Sequence, residues 1–153
     1  MENTILPLLG ESALVVRRKI SVLVLADIHL GLEAEMRKKG IRLPSQTSRI
    51  VKRVLKCIEK VEPERLVLLG DVKHNIPLTS WEELRDVPVF LEKIAERAPV
   101  DIAPGNHDVF LRRLIPSEKI SLRSSRGFVL DGTAYLHGHT WRDSELLRCK
   151  NFI

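Results

Sequence analysis

Five histidines follow closely on apolar runs of the sequence, and carboxylate or amide side chains accompany several of them. The apolar runs ISVLVLA, RLVLL, VDIAP and TAYL are followed by the polar segments DIH, GDVKH, GNHD and HGH. Each run predicts a buried strand. In an α/β sheet, the segments that leave the carboxyl ends of the strands converge on one edge, where ligands bind. We therefore expect one crevice to collect the histidines, which are His29, His74, His107, His137 and His139.

The donor atoms of these segments favour divalent metal ions. Carboxylate, imidazole and amide groups without thiolates suit Mn²⁺, Fe, Zn²⁺ or Mg²⁺. Two such ions about 3.5–4 Å apart, with one carboxylate between them, would neutralise the crowded groups. Asp71 is the natural bridging ligand, because Gly70 lets the backbone turn sharply and leaves the carboxylate free.

Two metal ions at such a site would support the hydrolysis of phosphoesters. They polarise a phosphoryl group and lower the pKa of bound water, so that hydroxide is available near neutral pH. A nearby histidine that binds no metal can protonate the leaving alkoxide or stabilise developing charge. Each polar segment taken alone is also compatible with a capped turn or an exposed histidine. The four together, each after a predicted strand, favour metal-dependent phosphoester hydrolysis.

The elements that must position these groups alternate between strands and helices. Apolar residues recur at helical spacing in Ser48–Lys60. Ser80–Glu83 forms a capping-box pattern that opens a short helix, and Pro88 fits the first turn of a next helix that runs to about Arg97. A last helix is predicted at 143–149. The strands are predicted at 11–16, 20–26, 65–69, 100–103, 120–122, 128–130 and 133–136.

This order of elements predicts an α/β fold. Helices between buried strands in the first two-thirds of the chain indicate a parallel sheet. The Asp131-Gly132 pair joins the last two predicted strands as a hairpin, so a second sheet with antiparallel strands is expected. At 153 residues the chain is most simply one domain spanning residues 1–153.

Composition excludes several classes of protein and leaves others open. The net charge of +5 suits an anionic substrate or nucleic acid, but ordinary surface charge explains it equally well. Aromatic residues make up 5%, so a base-stacking single-strand binder is not indicated. Cys57 and Cys149 form no CxxC pair, which favours a reducing compartment. The longest apolar run has seven residues and no signal peptide is visible, so we expect a cytoplasmic protein with no membrane partner.

The combined motifs resemble the calcineurin-like metallophosphoesterase superfamily. The resemblance rests on Asp27-x-His29, Gly70-Asp71, Gly105-Asn106-His107-Asp108 and a later histidine after a strand, and it spans the chain from about residue 11 onward. It implies an αββα sandwich, in which two packed β-sheets are flanked by helices. The segments ADIHLG, GIRLP, GDVKH and HGHTW look like those of archaeal SbcD-related, Icc-like phosphoesterases, and the DNA-ligase-associated phosphoesterases are similar.

The resemblance also implies roles for individual residues. Asp27 and His29 would hold the first metal ion, with Asp71 as the bridge between the two ions. Asn106 and His137 would hold the second ion, most simply Mn²⁺ like the first. His107 would be the catalytic acid. The remaining candidates are contacts to substrate or supports for the ligands, namely His74, His139 and Asp108.

The sequence departs from the superfamily at two places. Position 74 is usually Asp or Asn, so His74 is a candidate for contact with the substrate or with a metal-bound water. The superfamily also has a later GHxH motif, whereas Trp141 occupies the position of its second histidine here and the chain ends at Ile153. We therefore expect an incomplete domain that lacks C-terminal strands and binds metal weakly as it stands.

Three functions remain open at this point. The first is a nuclease that acts on DNA, which the basic charge and the SbcD-like motifs favour. The second is a phosphodiesterase or phosphatase for a nucleotide or another small molecule. The third is a non-catalytic module with an incomplete metal site. The oligomeric state stays open as well.

Overall fold

The computed structural model describes residues 4–153, and a six-stranded sheet forms its centre. Its strands are β1 Thr4–Pro7, β2 Ala13–Arg17, β3 Ser21–Ala26, β4 Arg65–Leu69, β5 Val100–Ala103 and β6 Ile120–Leu122. The spatial order of the strands equals their order in the chain. Strands β1 and β2 are antiparallel to each other and β2 is antiparallel to β3, while β3, β4, β5 and β6 run parallel.

A second sheet of three strands follows in the chain. It consists of β7 (Phe128–Leu130), β8 (Thr133–Tyr135) and β9 (Asn151–Phe152). The predicted hairpin at Asp131-Gly132 is confirmed, and both residues have positive φ values, 46° and 72°, as a tight two-residue turn requires. Asp131 also ties this sheet to the first one, because its carboxylate accepts hydrogen bonds from the backbone N–H groups of Lys19 (2.7 Å) and Ile20 (3.2 Å).

The helices lie between the strands as predicted, with two corrections. Helix α1 (Leu32–Lys38) was not predicted, α2 spans Thr47–Val61, and α3 spans Trp81–Ala95. The prediction of two helices around Pro88 was wrong, because α3 runs through it. A proline inside a helix removes one hydrogen bond and its ring clashes with the carbonyl of the preceding turn, which together cost about 3 kcal/mol. Burial of the apolar face of α3 around Pro88 offsets that cost, since Val87, Phe90 and Leu91 are fully buried.

Alternating strand residues divide the core into two layers. Leu23 and Leu25 of β3 pack with the apolar faces of α2 and α3. Val22 and Val24 point to the opposite face, where they pack against Tyr135 of the second sheet. The period-2 alternation of a strand explains how β3 serves both layers. The predicted α/β fold with two packed sheets and flanking helices is therefore confirmed.

Two elements near the ends of the chain differ from the prediction. Strand β1 was not predicted, and the predicted last helix at 143–149 is a 3₁₀ turn at Ser144–Arg148. The single, incomplete domain stays a prediction. Among the helices of residues 4–153, none combines the length and the apolar character needed to cross a membrane.

Candidate metal centre

The three parallel strands β3, β4 and β5 bring their following loops to one edge of the sheet. Their last residues lie side by side in the register Ala26–Leu69–Ala103. Backbone hydrogen bonds then continue between the loops, because Asp27 N donates to Gly70 O at 3.3 Å and His29 N donates to Asp71 O at 2.8 Å. The polar segments DIH, GDVKH and GNHD are therefore neighbours, as the convergence of parallel strand ends predicted.

Three candidate ligands have backbone conformations that non-glycine residues rarely adopt. The φ angles of Asp27, His29 and Asp71 are 51°, 49° and 50°. Such a left-handed conformation costs about 1–3 kcal/mol per residue and is concentrated at functional sites. The surrounding hydrogen bonds and packing hold the strand ends in this shape, which directs the three side chains toward a common point.

Two glycines are required by close contacts within this edge. A Cβ atom on Gly105 would lie 2.1 Å from Asp71 Oδ1, and one on Gly70 would lie 2.2 Å from the ring of His137. Gly70 also has a φ of 68°. The sequence had suggested a sharp turn at Gly70, and the structure adds that its missing side chain makes room for an imidazole ring.

Asp71 lies at the centre of the cluster and is only 6% exposed. Its Oδ2 atom is 3.6 Å from His29 Nε2 and 3.6 Å from His137 Nε2, while its Oδ1 accepts a hydrogen bond from His107 N at 3.0 Å. Asp27 Oδ1 is 3.4 Å from His137 Nε2. The three separations between imidazole nitrogens and carboxylate oxygens, 3.4–3.6 Å, exceed the roughly 2.7–3.2 Å of ordinary hydrogen bonds. Donor atoms that converge without closing on one another are the arrangement a cation would complete.

The potential ligands form two neighbouring groups. In each group the donor atoms lie within 4.8 Å of one another; the first contains Asp27, Asp71 and His137, and the second His29, His74 and His107. Oxygen and imidazole nitrogen donors of this kind fit divalent transition metals. The predicted split, with Asp27 and His29 on one ion and Asn106 and His137 on the other, stays a prediction.

His107 has one ring nitrogen fixed by the backbone. Its Nδ1 contacts the carbonyl oxygen of His74, so Nδ1 carries the proton and donates it. Its Nε2 is left for another partner. A histidine oriented in this way by a carbonyl group is suited to acid–base chemistry.

His74 is held more firmly than an incidental surface histidine. Its Nδ1 lies 3.1 Å from His29 Nδ1, and its Nε2 contacts the carboxylate of Glu35. Its backbone N–H donates to Glu83 Oε1 at 2.8 Å, and that of Asn75 donates to the same oxygen at 2.6 Å. Sequence reasoning missed Glu35 altogether, and it recognised Glu83 only as part of the capping box of α3.

The last three candidates have different surroundings. Asp108 is buried and accepts hydrogen bonds from Gly105 N (2.8 Å) and Lys73 N (3.2 Å), so it ties the GNHD loop to the GDVKH loop. Asn106 is exposed beside His107. His139 is exposed as well, and its Nδ1 lies 3.1 Å from His137 Nδ1. Of the three, His139 is therefore the one in direct contact with a metal-ligand candidate.

Burial and charge adjust the protonation of several groups at this edge. Burial lowers the pKa of His29, against the opposing effect of Asp71, which favours the neutral imidazole that binds metals. Burial likewise raises the pKa of Asp108. The pKa of Glu35 falls to about 2, first through its hydrogen bond with Lys39 and then through that with His74. Glu35 is therefore an ionised acceptor at neutral pH.

Comparison with known proteins agrees with this geometry. Residues 20–149 match the family described as calcineurin-like phosphoesterase, and the chain belongs to that family. The chain is 32% identical over 68 residues to the serine/threonine-protein phosphatase CPPED1 of Rattus norvegicus, and equally to that of Mus musculus. These matches cover 42% of this chain and 22% of the relatives' length.

Two solved structures are similar to the chain to different degrees. The nuclease MPE of Pseudomonas putida is 20% identical, with a TM-score of 0.54 over 91% of this chain and 70% of that one. Yfce, a phosphoesterase from E. coli, is 21% identical, with a TM-score of 0.46 over 77% of this chain and 57% of that one. The first of these supports the assignment of the fold.

Proposed function

We propose that the protein hydrolyses phosphoester bonds with the help of two divalent metal ions, Mn²⁺ being the favoured metal and Fe, Zn²⁺ and Mg²⁺ the alternatives. The observation that carries this proposal is the buried carboxylate of Asp71, whose Oδ2 lies 3.6 Å from the Nε2 atoms of both His29 and His137. One carboxylate between two imidazoles is what a bridging ligand requires. The proposed ligand set is Asp27, His29, Asp71, Asn106 and His137.

The bound ions would polarise the phosphoryl group and activate water for attack. The protein itself contributes the orientation of the reacting groups and one transferable proton. His107 keeps a proton on Nδ1 through the carbonyl of His74, so Nε2 is the atom that can carry a proton to the leaving oxygen. The pre-set backbone at Asp27, His29 and Asp71 reduces the rearrangement needed when ions bind.

DNA is the substrate that we favour. The net charge of +5 suits a polyanion, and the motifs resemble those of SbcD-related phosphoesterases. The neighbour in fold from Pseudomonas putida is itself a nuclease. A nucleotide or another small phosphodiester is the alternative substrate, and a non-catalytic module is the alternative function. The free thiols Cys57 and Cys149 agree with the proposed cytoplasmic location.

A substrate panel tests the proposal. Bis-p-nitrophenyl phosphate, cyclic nucleotides, and single- and double-stranded DNA are each incubated with the protein and with Mn²⁺, Fe²⁺, Zn²⁺ or Mg²⁺. We expect slow, metal-dependent turnover that is lost in Asp71→Asn and kept in Asp143→Asn, a change at a carboxylate that pairs with Arg126 instead. Cleavage of DNA in preference to the small substrates supports a nuclease. Absence of turnover with every metal and substrate would contradict the proposed hydrolase and favour the non-catalytic module.

A further inference from the structure

The ring of His74 lies between helix α1 and the metal centre. One of its nitrogens, Nε2, contacts the Glu35 carboxylate, and the other, Nδ1, lies 3.1 Å from His29 Nδ1. The remaining nitrogen of His29, Nε2, faces Asp71 Oδ2 at 3.6 Å. A carboxylate, two imidazoles and the central carboxylate of the metal centre therefore form one continuous row.

The positions of the protons in this row follow from what each atom can donate or accept. An ionised carboxylate only accepts, so the nitrogen of His74 that contacts Glu35 carries a proton. A neutral His74 then has a lone pair on Nδ1. The 3.1 Å contact between His74 Nδ1 and His29 Nδ1 is a hydrogen bond only if one of the two nitrogens carries a proton. Because His74 Nδ1 has none, the proton lies on His29 Nδ1. His29 is left with its lone pair on Nε2, the atom that faces Asp71.

We infer that Glu35 and His74 are positioning residues, which fix His29 in the Nδ1–H tautomer so that its Nε2 is presented to a metal ion. The inference rests on the proposed function only in the claim that His29 Nε2 binds a metal ion. The tautomer itself is a property of the metal-free protein. Carboxylate groups commonly orient metal-binding histidines directly. Here a second imidazole transmits the orientation, because the Glu35 carboxylate of helix α1 contacts the ring of His74 and that ring contacts His29.

The surroundings of His74 are built to hold this ring in place. Its backbone N–H donates to the buried carboxylate of Glu83, and its carbonyl oxygen accepts from His107. His74 makes a T-shaped contact with His29 at a centroid distance of 5.0 Å and stacks on His107 at 5.3 Å. The ring of His74 is thus held in place by the backbone hydrogen bonds of the residue and by the two neighbouring rings. A residue that orients His29 must itself be held in this way.

Nuclear magnetic resonance of ¹⁵N-histidine-labelled, metal-free protein at mildly alkaline pH tests the inference. The two-bond ¹H–¹⁵N correlations report which ring nitrogen carries the proton, and the His29 and His74 signals are assigned with single substitutions. We expect His29 as Nδ1–H and His74 as Nε2–H in the unmodified protein. In Glu35→Ala we expect His29 to become a mixture of tautomers. His29 found as Nε2–H in the unmodified protein, or unchanged in Glu35→Ala, would overturn the inference.

Three further variants separate the relay from a general effect on helix α1. Lys39→Ala removes the other partner of Glu35 on the same helix, and should leave the His29 tautomer unchanged. Glu35→Gln keeps an oxygen acceptor and should preserve the tautomer. His74→Asn places an amide oxygen about where His74 has Nδ1, so His29 should stay Nδ1–H and become insensitive to Glu35→Ala. Loss of the tautomer in Lys39→Ala and Glu35→Gln alike would indicate a disturbed helix and contradict the relay.

Metal binding provides a second readout that needs no catalysis. In a calorimetric Mn²⁺ titration, Glu35→Ala should weaken binding by about 10-fold, the smaller part of the range seen when a ligand-orienting group is removed. An unchanged affinity would contradict the role of the tautomer in metal binding. The expected tautomers in a protein without hydrolase activity would leave this inference standing and refute the proposed function. Hydrolysis by a protein in which His29 is Nε2–H would refute this inference and leave the proposed function standing.

Discussion

Two parts of the candidate site offer the same kind of side chain but support it differently. The edge formed after β3, β4 and β5 holds Asp71 at 6% exposure, with backbone hydrogen bonds running from loop to loop. The segment that follows β8 reaches the site from the other sheet. It places His137 against the same carboxylate, and continues into the exposed His139 and into Trp141, which is 90% exposed.

The difference shows how much neighbouring parallel strands contribute to the positioning of the candidate ligands. At the first edge, the register of the parallel strands sets the positions of the candidate ligands through the backbone. At the second segment, the anchors are fewer: Thr140 Oγ1 donates to Ser125 O at 2.9 Å and Arg126 Nε donates to Trp141 O at 3.2 Å. We therefore expect substitutions at the first edge to have larger effects on metal binding and turnover.

The largest effect is expected from Asp71→Ala. The change removes the carboxylate that faces both His29 and His137, so metal affinity should fall by more than about 100-fold, beyond the usual cost of losing a group that only orients a ligand. Turnover should fall with it. Metal content after dialysis, measured by plasma emission spectroscopy, checks the prediction, with Asp143→Ala as the control. Retention of metal by Asp71→Ala would contradict the central place of this residue.

His107→Ala should separate catalysis from metal binding. Its backbone N–H, which contacts Asp71, is kept in the variant, whereas the imidazole that could donate a proton is removed. Turnover should fall by about 10²- to 10⁴-fold, while metal content stays near that of the unmodified protein. Steady-state kinetics and metal analysis on the same samples give both values. Equal metal loss in His107→Ala and Asp71→Ala would argue against an acid role for His107.

A pair of glycine substitutions compares the two regions directly. In Gly105→Ala the new Cβ meets Asp71 Oδ1 at 2.1 Å, whereas in Gly138→Ala it meets no atom of residues 4–153 within 4 Å. The first should displace the carboxylate and weaken Mn²⁺ binding by about 10- to 100-fold. The second should mainly cost stability, about 1 kcal/mol, since Gly138 has a φ of 88°. Calorimetric Mn²⁺ titrations measure the metal affinities of the two variants, and chemical denaturation measures their stabilities. Equal Mn²⁺ affinities in Gly105→Ala and Gly138→Ala would contradict the difference between the two regions.

The smallest effect is expected from His139→Ala. His139 is exposed and contacts His137 of the centre, at 3.1 Å between the Nδ1 atoms. KM for bis-p-nitrophenyl phosphate should rise a few-fold, and kcat should change little. A fall in kcat comparable with that of His107→Ala would show that the second segment is as important as the first.

Much of this candidate site could be anticipated because the buried strands, and the polar segments that follow them, can be recognised in the sequence. Continuous apolar runs gave the strands, and the convergence of parallel strand ends predicted that Asp27, Asp71 and His107 would be neighbours. Glu35 could not be found in this way. It belongs to a seven-residue helix that begins after Gly31 with no side-chain cap, so neither periodicity nor capping marked it.

Other errors have physical causes of the same kind. Pro88 indicated a helix boundary by its missing N–H, but the buried face of Phe90 and Ile94 outweighs that local preference. The role of Glu83 in holding His74 depends on a contact between loops that sequence spacing does not reveal. Local signals therefore indicated the candidate ligands, while the groups that hold these candidates in place could be found only in the tertiary structure.

Electron paramagnetic resonance of the protein titrated with Mn²⁺ to saturation tests the central claim most directly. If Asp71 bridges two ions, the spectrum should show a spin-coupled pair at two Mn²⁺ per chain, and Asp71→Asn should lose the coupling. A spectrum of isolated Mn²⁺ ions at saturation, or coupling that persists in Asp71→Asn, would contradict the account.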